Sequence, residues 1–462
     1  MNRKLSTING DLSKTDQSTV HFYIESKELE TQSTLVFFEI GEEKFKGQCF
    51  YWQNKDKDFT LVGLGHAYTI KSNDADARYE DVEKAWKHLI HSTSLKGIKQ
   101  QPILFGSFTF DPKKGVSDEW ANFSHANFAL AKHQLVESNG RFYMNTHLVS
   151  EEVITDEDIE LAREEREALL EQAKGRTLKT YIKPHVVLTE EPYKEEYLQS
   201  ITQVTNQIKA KQADKVVIAR SLALTFDKEV NTSNLLAQLS EEQPESYLFA
   251  QEQGQDLFLG ATPERLVFVN HKKAYSSCVA GSIRRGTTVQ EDEEFGRILL
   301  NDTKNLQEHQ YVVDMISNSF KETCEQYTLP NHPDLLKIRD IQHLHTPIEG
   351  ILKEDATILQ MVEKLHPTPA LGGSPREVAM EMIRQYEPMN RGVYAAPIGW
   401  LNADGDGEFA VAIRSALLQD KKAYLYAGGG IVADSEPQSE YEETLVKFRP
   451  MLRTLGGKLN DE

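Results

Sequence analysis

Cysteine is scarce in this chain. Its three cysteines (Cys49, Cys278, Cys324) are odd in number and far apart, which argues against a disulfide framework or a thiolate metal site and for a reducing compartment. No apolar run approaches 18 residues, so no segment reads as a membrane-spanning helix. The polar stretch from Met1 to Ser18 has no apolar signal core, and a cytoplasmic location is expected. Positive charge is also short: 52 Lys and Arg face 71 Asp and Glu, a net charge of −19. Nucleic acid and anionic lipid are therefore poor partners. An acidic protein that binds an acidic metabolite needs local basic residues or a cation. There is no internal repeat and no low-complexity segment.

What is present fits a soluble globular protein with a large core, in 462 residues of 39% hydrophobic content. Residues 1–185 read as a strand-rich region closed by a charged connector helix at 151–175, and residues 190–456 as the catalytic region. Strands are expected at Thr34–Ile40, Phe59–Tyr68 and Ile103–Phe110. An amphipathic helix begins near Pro192, with Tyr193, Tyr197, Ile201, Val204 and Ile208 on one face. It feeds the strand Lys215–Arg220. Further strands are expected at Leu257–Leu259 and Arg265–Val269, and one long helix from Asp292 to Thr323. Val393–Leu401 and Glu408–Leu417 flank Asp404-Gly-Asp-Gly407, a hairpin signal. The fold class is α+β, with large antiparallel sheets and helices packed outside.

Several residues carry chemistry. Gly428-Gly-Gly430 ends an apolar strand and admits positive φ and close ligand approach. The helix after it sets Glu440, Glu443 and Lys447 at i, i+3 and i+7, beside the core positions Tyr441, Leu445, Phe448 and Leu452. Two acids and a base there can hold a metal and an anionic ligand, or form an exposed ladder at a helix N-terminus. Lys215 opens an apolar strand, where a lysine becomes a base or snorkels to water. Glu264, in the turn Gly260-Ala-Thr-Pro-Glu264, is a candidate general acid, or else a turn carboxylate that faces solvent or pairs with Arg265. Glu308 shares a helix face with Tyr311, Val312, Met315 and Ser319, so it needs a cation, a donor or a proton. Magnesium, a hard ion that takes carboxylates plus ligand oxygens, suits it, and the alternative is a core-edge glutamate bonded to a neighbouring lysine. Arg414, alternating with Ala410 and Ala412, is placed to fork onto a carboxylate ligand. Two matches fail. Asn402–Gly407 imitates a calcium loop, but its twelfth position is Ile413. His343-Leu-His345 lacks metal partners at the right spacing.

Taken in order, these segments resemble the chorismate-utilising enzymes, most closely the isochorismate synthases. The likeness rests on Lys215–Arg220, Gly260–Glu264, Ala280-Gly-Ser-Ile-Arg-Arg-Gly286, Glu308-His309, Gln342-His-Leu344, His366-Pro-Thr-Pro-Ala-Leu371, Ile413-Arg414 and Gly428–Lys447. It spans residues 190 to 456. The resemblance implies a deep central cleft, Mg²⁺, and chorismate as substrate. It implies that Lys215 activates the water that adds at C2 and that Glu264 protonates the departing C4 hydroxyl. Glu308 and Glu440 would hold Mg²⁺, with Glu443 in support. Gly281, Ser282, His343, Ala370, Leu371, Tyr394, Arg414, Gly428, Gly430 and Lys447 would line the substrate.

Finer distinctions follow from single positions. Lysine at 215 resembles water-adding members, whereas aminating members carry glutamine there. Ala280 stands where aminodeoxychorismate synthases place a nucleophilic lysine. Ala370-Leu371 resembles isochorismate synthases, whereas salicylate-forming members have threonine at the first position. Asn305 departs from the acid that many relatives carry before Glu308, and Ser282 replaces a commoner threonine. The long N-terminal region and Phe105–Pro112 resemble menaquinone-pathway members. The alternatives are a salicylate synthase and a siderophore-pathway isochorismate synthase, and no obligatory amidotransferase partner is expected.

Overall fold

A computed structural model describes residues 8–9, 20–115, 117–337 and 341–457. Among the described residues, twenty-one strands join through hydrogen bonds, and every pairing is antiparallel except that of Ile8–Asn9 with Tyr68–Thr69. Two ladders run through the sheet. One passes from Val186–Glu190 through Lys215–Phe226, Lys422–Ile431, Ser415–Gln419, Asp256–Thr262 and Tyr247–Gln253 to Cys49–Gln53. The other passes from Ile341–Leu352 through Lys273–Arg284, Arg265–Asn270, Gly407–Val411 and Pro397–Asn402 to Ile103–Phe108. They meet again where Phe59–Ser72 pairs with Ala126–Ser138. Strands from the first 150 residues therefore pair directly with strands from the last 260.

The ladders part at two neighbouring breaks. Pro263-Glu264 separates Asp256–Thr262 from Arg265–Asn270, and residues 412–414 separate Gly407–Val411 from Ser415–Gln419. The breaks are stitched together by Val411 N donating to Glu264 O (3.0 Å) and Ala261 N donating to Arg414 O (3.1 Å). Two hydrophobic clusters flank the sheet. The larger contains Trp52, Phe105, Trp120, Tyr247 and Phe409, and the smaller contains Phe37, Phe38, Leu236 and Phe448.

Local structure departs from expectation where packing overrides period. Thr34–Ile40 is not a strand but part of the helix Thr34–Lys44. Ser33 caps it by accepting from Val36 N, and every residue from Val36 to Gly41 is buried. A helix enclosed on several sides shows no amphipathic period, so its apolar run imitates a strand. The helix expected over Asp292–Thr323 is two, Val289–Asn301 and Thr303–Thr323. Asp302 ends the first and caps the second through Asn305 N (2.7 Å). Asp156–Ala173 is docked more firmly than a solvated connector, because Asp158, Ala162, Arg166, Leu169 and Ala173 are buried and Arg166 pairs with Glu25. Tyr193 is exposed at the N-cap of Lys194–Lys209, while Tyr197, Ile201, Val204 and Ile208 are buried as expected. The hairpin at Asp404–Gly407 forms between Pro397–Asn402 and Gly407–Val411.

Candidate active site

Lys215 is the first residue of its strand, 9% exposed, and its ammonium pairs with the Glu308 carboxylate from the helix Thr303–Thr323. Across the ladder lie the three glycines, which form neither a hinge nor a positive-φ turn: they continue the strand Lys422–Ile431. Their value here is room. A Cβ on Gly430 would stand 2.5 Å from Lys215 Cε, and one on Gly429 would stand 3.0 Å from Glu440 Oε2.

Glu264 and Arg414 occupy the two breaks where the ladders part. The Glu264 carboxyl makes no hydrogen bond or ion pair among the described residues. Burial pushes its pKa up to about 7, against the opposing pull of Arg414 and Lys215. Arg414 does not continue the alternation of Ala410 and Ala412, since the strand stops at Val411 and Arg414 has a left-handed φ of 52°. Burial pulls its pKa down, and Tyr394, Glu264 and Glu443 push it back up. Tyr394 stacks on Tyr426 with ring centroids 5.3 Å apart, and burial pushes its hydroxyl up to about 12.

On the other ladder, Gly281 sits at a bulge with φ 77°, between Ala280 and Ser282. A Cβ on Gly281 would come within 3.1 Å of Asn305 Cβ, and Ser282 N donates to Asn305 Oδ1 (3.3 Å). Asn305 thus fastens the helix to the bulge. Ser282 Oγ and His343 Nδ1 share a hydrogen bond of 2.6 Å. Burial, aided by Arg414 and Lys447, lowers the His343 pKa to about 4, so the ring is neutral near pH 7. Beside Glu308, His309 is buried between Ala280 O (3.1 Å) and Thr346 Oγ1 (2.8 Å).

The C-terminal helix Pro437–Leu455 supplies the remaining charges. Glu440 Oε1 accepts from Ser435 Oγ (2.6 Å), and burial followed by the Glu443 charge raises its carboxyl pKa against that bond. Lys447 pairs with exposed Glu443 (2.7 Å) and donates to Gly428 O (2.7 Å). Leu371 is buried in the loop after the helix Ile358–Leu365, and Ala370 beside it is half-buried.

Electrostatic contact links most of these side chains into one group. Lys215 acts on Glu264 and Lys447, and Arg414 acts on Glu264, His343 and Lys447. Glu443 joins Arg414 to Glu440. Glu308, Glu440 and Glu443 are not assembled as a ready triad. Among the described residues no three His, Cys, Asp or Glu side chains are grouped to hold a metal. Glu308 is held by Lys215 and Glu443 by Lys447. Two open depressions, of about 490 and 370 Å³ around Arg265 and Phe268, include none of the candidate residues in their lining.

Sequence reasoning missed Arg391 and Glu387, a buried pair whose guanidinium reaches both Leu371 O (2.9 Å) and Val217 O (2.8 Å). They lie in a loop after the helix Arg376–Tyr386, where no helical spacing marks them. The Tyr426 and Tyr197 hydroxyls, buried beside Tyr394 and Glu440 without a hydrogen-bond partner among the described residues, were missed as well.

These features are those of a known class: the family model described as "Chorismate binding enzyme" matches residues 6–456, and the chain belongs to that family of enzymes. Within it, the chain is 42% identical over 442 residues to isochorismate synthase MenF of Bacillus subtilis, covering 94% of this chain and 93% of the relative. It is 34% identical over 416 residues to the salicylate biosynthesis isochorismate synthase of Pseudomonas aeruginosa, covering 88% and 86%. The solved structure of MenF, the menaquinone-specific isochorismate synthase of Escherichia coli, superposes with a TM-score of 0.80 at 25% identity over 95% of each chain.

Proposed function

We propose that this protein is a Mg²⁺-dependent isochorismate synthase that serves menaquinone biosynthesis. The observation that supports the reaction is a lysine within electrostatic reach of a protonatable carboxyl: Lys215 and Arg414 both pull on Glu264, which nevertheless holds its proton up to about pH 7. In its neutral form, after its ammonium has given a proton to solvent and released Glu308, Lys215 takes a proton from the water that adds at ring C2. The double bonds shift, and the C4 hydroxyl leaves as water with the proton that Glu264 supplies. Water in and water out balance, so chorismate and isochorismate are isomers. Arg414 and Lys447 bind the two substrate carboxylates, with Tyr394, the His343–Ser282 pair and the Gly281 bulge shaping the wall.

The donor set fits magnesium. It consists of carboxylate oxygens, and burial together with the neighbouring Glu443 charge raises the Glu440 carboxyl pKa, a tension that a divalent cation relieves. Glu308 and Glu440 would hold the ion, with Glu443 beside them. When bound, Mg²⁺ supplies positive charge to the ring carboxylate. The two-acid set leaves room for water and ligand oxygens, as this ion prefers. The basic residues and the cation let a protein of net charge −19 accept a dianion.

The test is to incubate the purified protein with chorismate and MgCl₂ and separate the products. Isochorismate is expected. Salicylate fluorescence without added lyase would move the protein to the salicylate-forming alternative, and an amino product dependent on ammonia would reject water addition. The pathway rests on the N-terminal region, on Phe105–Pro112 and on likeness to the two MenF proteins. Disrupting the gene should abolish menaquinone. Loss of a siderophore with menaquinone intact would overturn that assignment.

A further inference from the structure

The strand that carries Lys215 has an unusual second edge. One edge pairs continuously with Lys422–Ile431. The other pairs with Gly373–Ser374 only at Lys215 and Val216, and with Val186–Glu190 only from Ala223 onward. In the gap, Val217 N still finds Gly372 O (3.0 Å), but Val217 O and Ala219 N have no strand to pair with. Two side chains take its place. Arg391 Nη2 donates to Val217 O (2.8 Å), and Ala219 N donates to Glu387 Oε2 (2.8 Å). The same guanidinium donates through Nη1 to Leu371 O (2.9 Å), and through Nε and Nη2 to Glu387 (2.9 and 2.7 Å). Its face lies 4.1 Å from the Phe110 ring centroid, and its own carbonyl accepts from Tyr394 N (2.8 Å).

Both residues are almost wholly buried, Arg391 2% and Glu387 3% exposed. A buried ion pair offers weak net stability compared with apolar packing, because desolvation offsets its attraction. A rigid fork that reaches two main-chain segments at fixed angles, on a residue whose own carbonyl holds a third, offers geometry instead. We infer that Arg391, oriented by Glu387, is a positioning residue: it ties the Lys215 strand, the Ala370-Leu371 loop and the Tyr394 turn together so that Lys215 stands at a fixed distance from Glu264 and the substrate. The inference rests on the reaction proposed above.

The variant Arg391→Lys keeps the charge but loses the fork, and Glu387→Gln keeps an acceptor for Ala219 N while leaving Arg391 without its counter-charge. Each is read by amide hydrogen exchange and by the pH profile of kcat, beside the parent protein. Faster exchange is expected in segments 215–220 and 370–374, with little change elsewhere. The expected kcat loss is on the order of 10²-fold with KM little changed. As Lys215 withdraws, Glu264 loses a positive neighbour, so its limb of the profile should move to higher pH. A fall in kcat equal to the fall in folded fraction, with the limb unmoved, would overturn the inference. So would unchanged exchange in both segments, or failure of both variants to fold, which would assign the pair to stability alone. If the parent protein itself does not turn over chorismate, the proposed reaction falls, while exchange still judges the clamp.

Discussion

Glu264 and Arg265 are chain neighbours that lead to opposite fates. Arg265 turns to a closed network in which its Nε bonds both Tyr247 Oη and Glu408 Oε1 (2.8 Å each), and Tyr247 Oη donates to Glu408 (2.9 Å). Glu264 turns the other way, toward the charges of Arg414 and Lys215, where its carboxyl has no hydrogen-bond donor among the described residues. The first arrangement satisfies buried polar atoms and fixes structure. The second leaves a carboxyl protonated at a pH where most are ionised, the state a general acid requires. One peptide bond separates a settled charge from a reactive one.

The sharpest way to break this contrast is Glu264→Gln. Loss of 10²–10⁴-fold in kcat, typical of a general acid, is expected while the protein stays folded. Lys215→Ala should behave alike, and near-parental rates in either would contradict the assigned roles. In the parent, activity should fall as pH rises through about 7, because the proton on Glu264 is then lost. The linked stability has a definite sign. The folded-state pKa of about 7 lies above the reference 4.5, so the folded form loses stability as pH rises between those values. Glu264→Gln lacks that loss and should melt above the parent at pH 8, as a pair of thermal melts at pH 5 and pH 8 would reveal.

Next in size is Glu440→Ala. The Mg²⁺ concentration for half-maximal rate should rise by at least about 10-fold, by analogy with losses around other metal sites. A superimposable metal titration would remove Glu440 from the ion's surroundings. Smallest in its effect on rate is Glu408→Gln, in the closed network. Stability should drop by about 2 kcal/mol, the cost of unbalancing a buried pair discounted for the part-exposed Arg265. The kcat of the folded fraction should be unaltered. A large catalytic defect there would erase the distinction between the two environments.

Much of the architecture was readable because its signals are local. The hairpin at Asp404–Gly407, the helix around Tyr197–Ile208 and the Lys215 strand each follow from turn chemistry or apolar spacing. The helix at Thr34–Lys44 was not readable, since its apolar run carries no period, and neither was the interruption at Asp302, where one aspartate both ends and starts a helix. Individual candidate residues could be picked out by motif and order. Their mutual geometry could not. Nothing in the sequence foretells that Lys215 and Lys447 occupy Glu308 and Glu443, or that Arg391 bonds the main chain at Val217 and Leu371, because those partners meet only after distant strands pair.

The backbone at Arg414 carries a cost of its own. A residue with a side chain held at φ 52° is strained by roughly 1–3 kcal/mol, and a half-buried guanidinium adds a desolvation penalty. Glycine at that position would relieve both, less the roughly 0.5–1 kcal/mol that its greater freedom in the unfolded chain removes. Selection for heat resistance alone would therefore drift toward Arg414→Gly, yielding a tougher protein without the guanidinium proposed to hold a substrate carboxylate. Thermal endurance and turnover pull against each other at that codon.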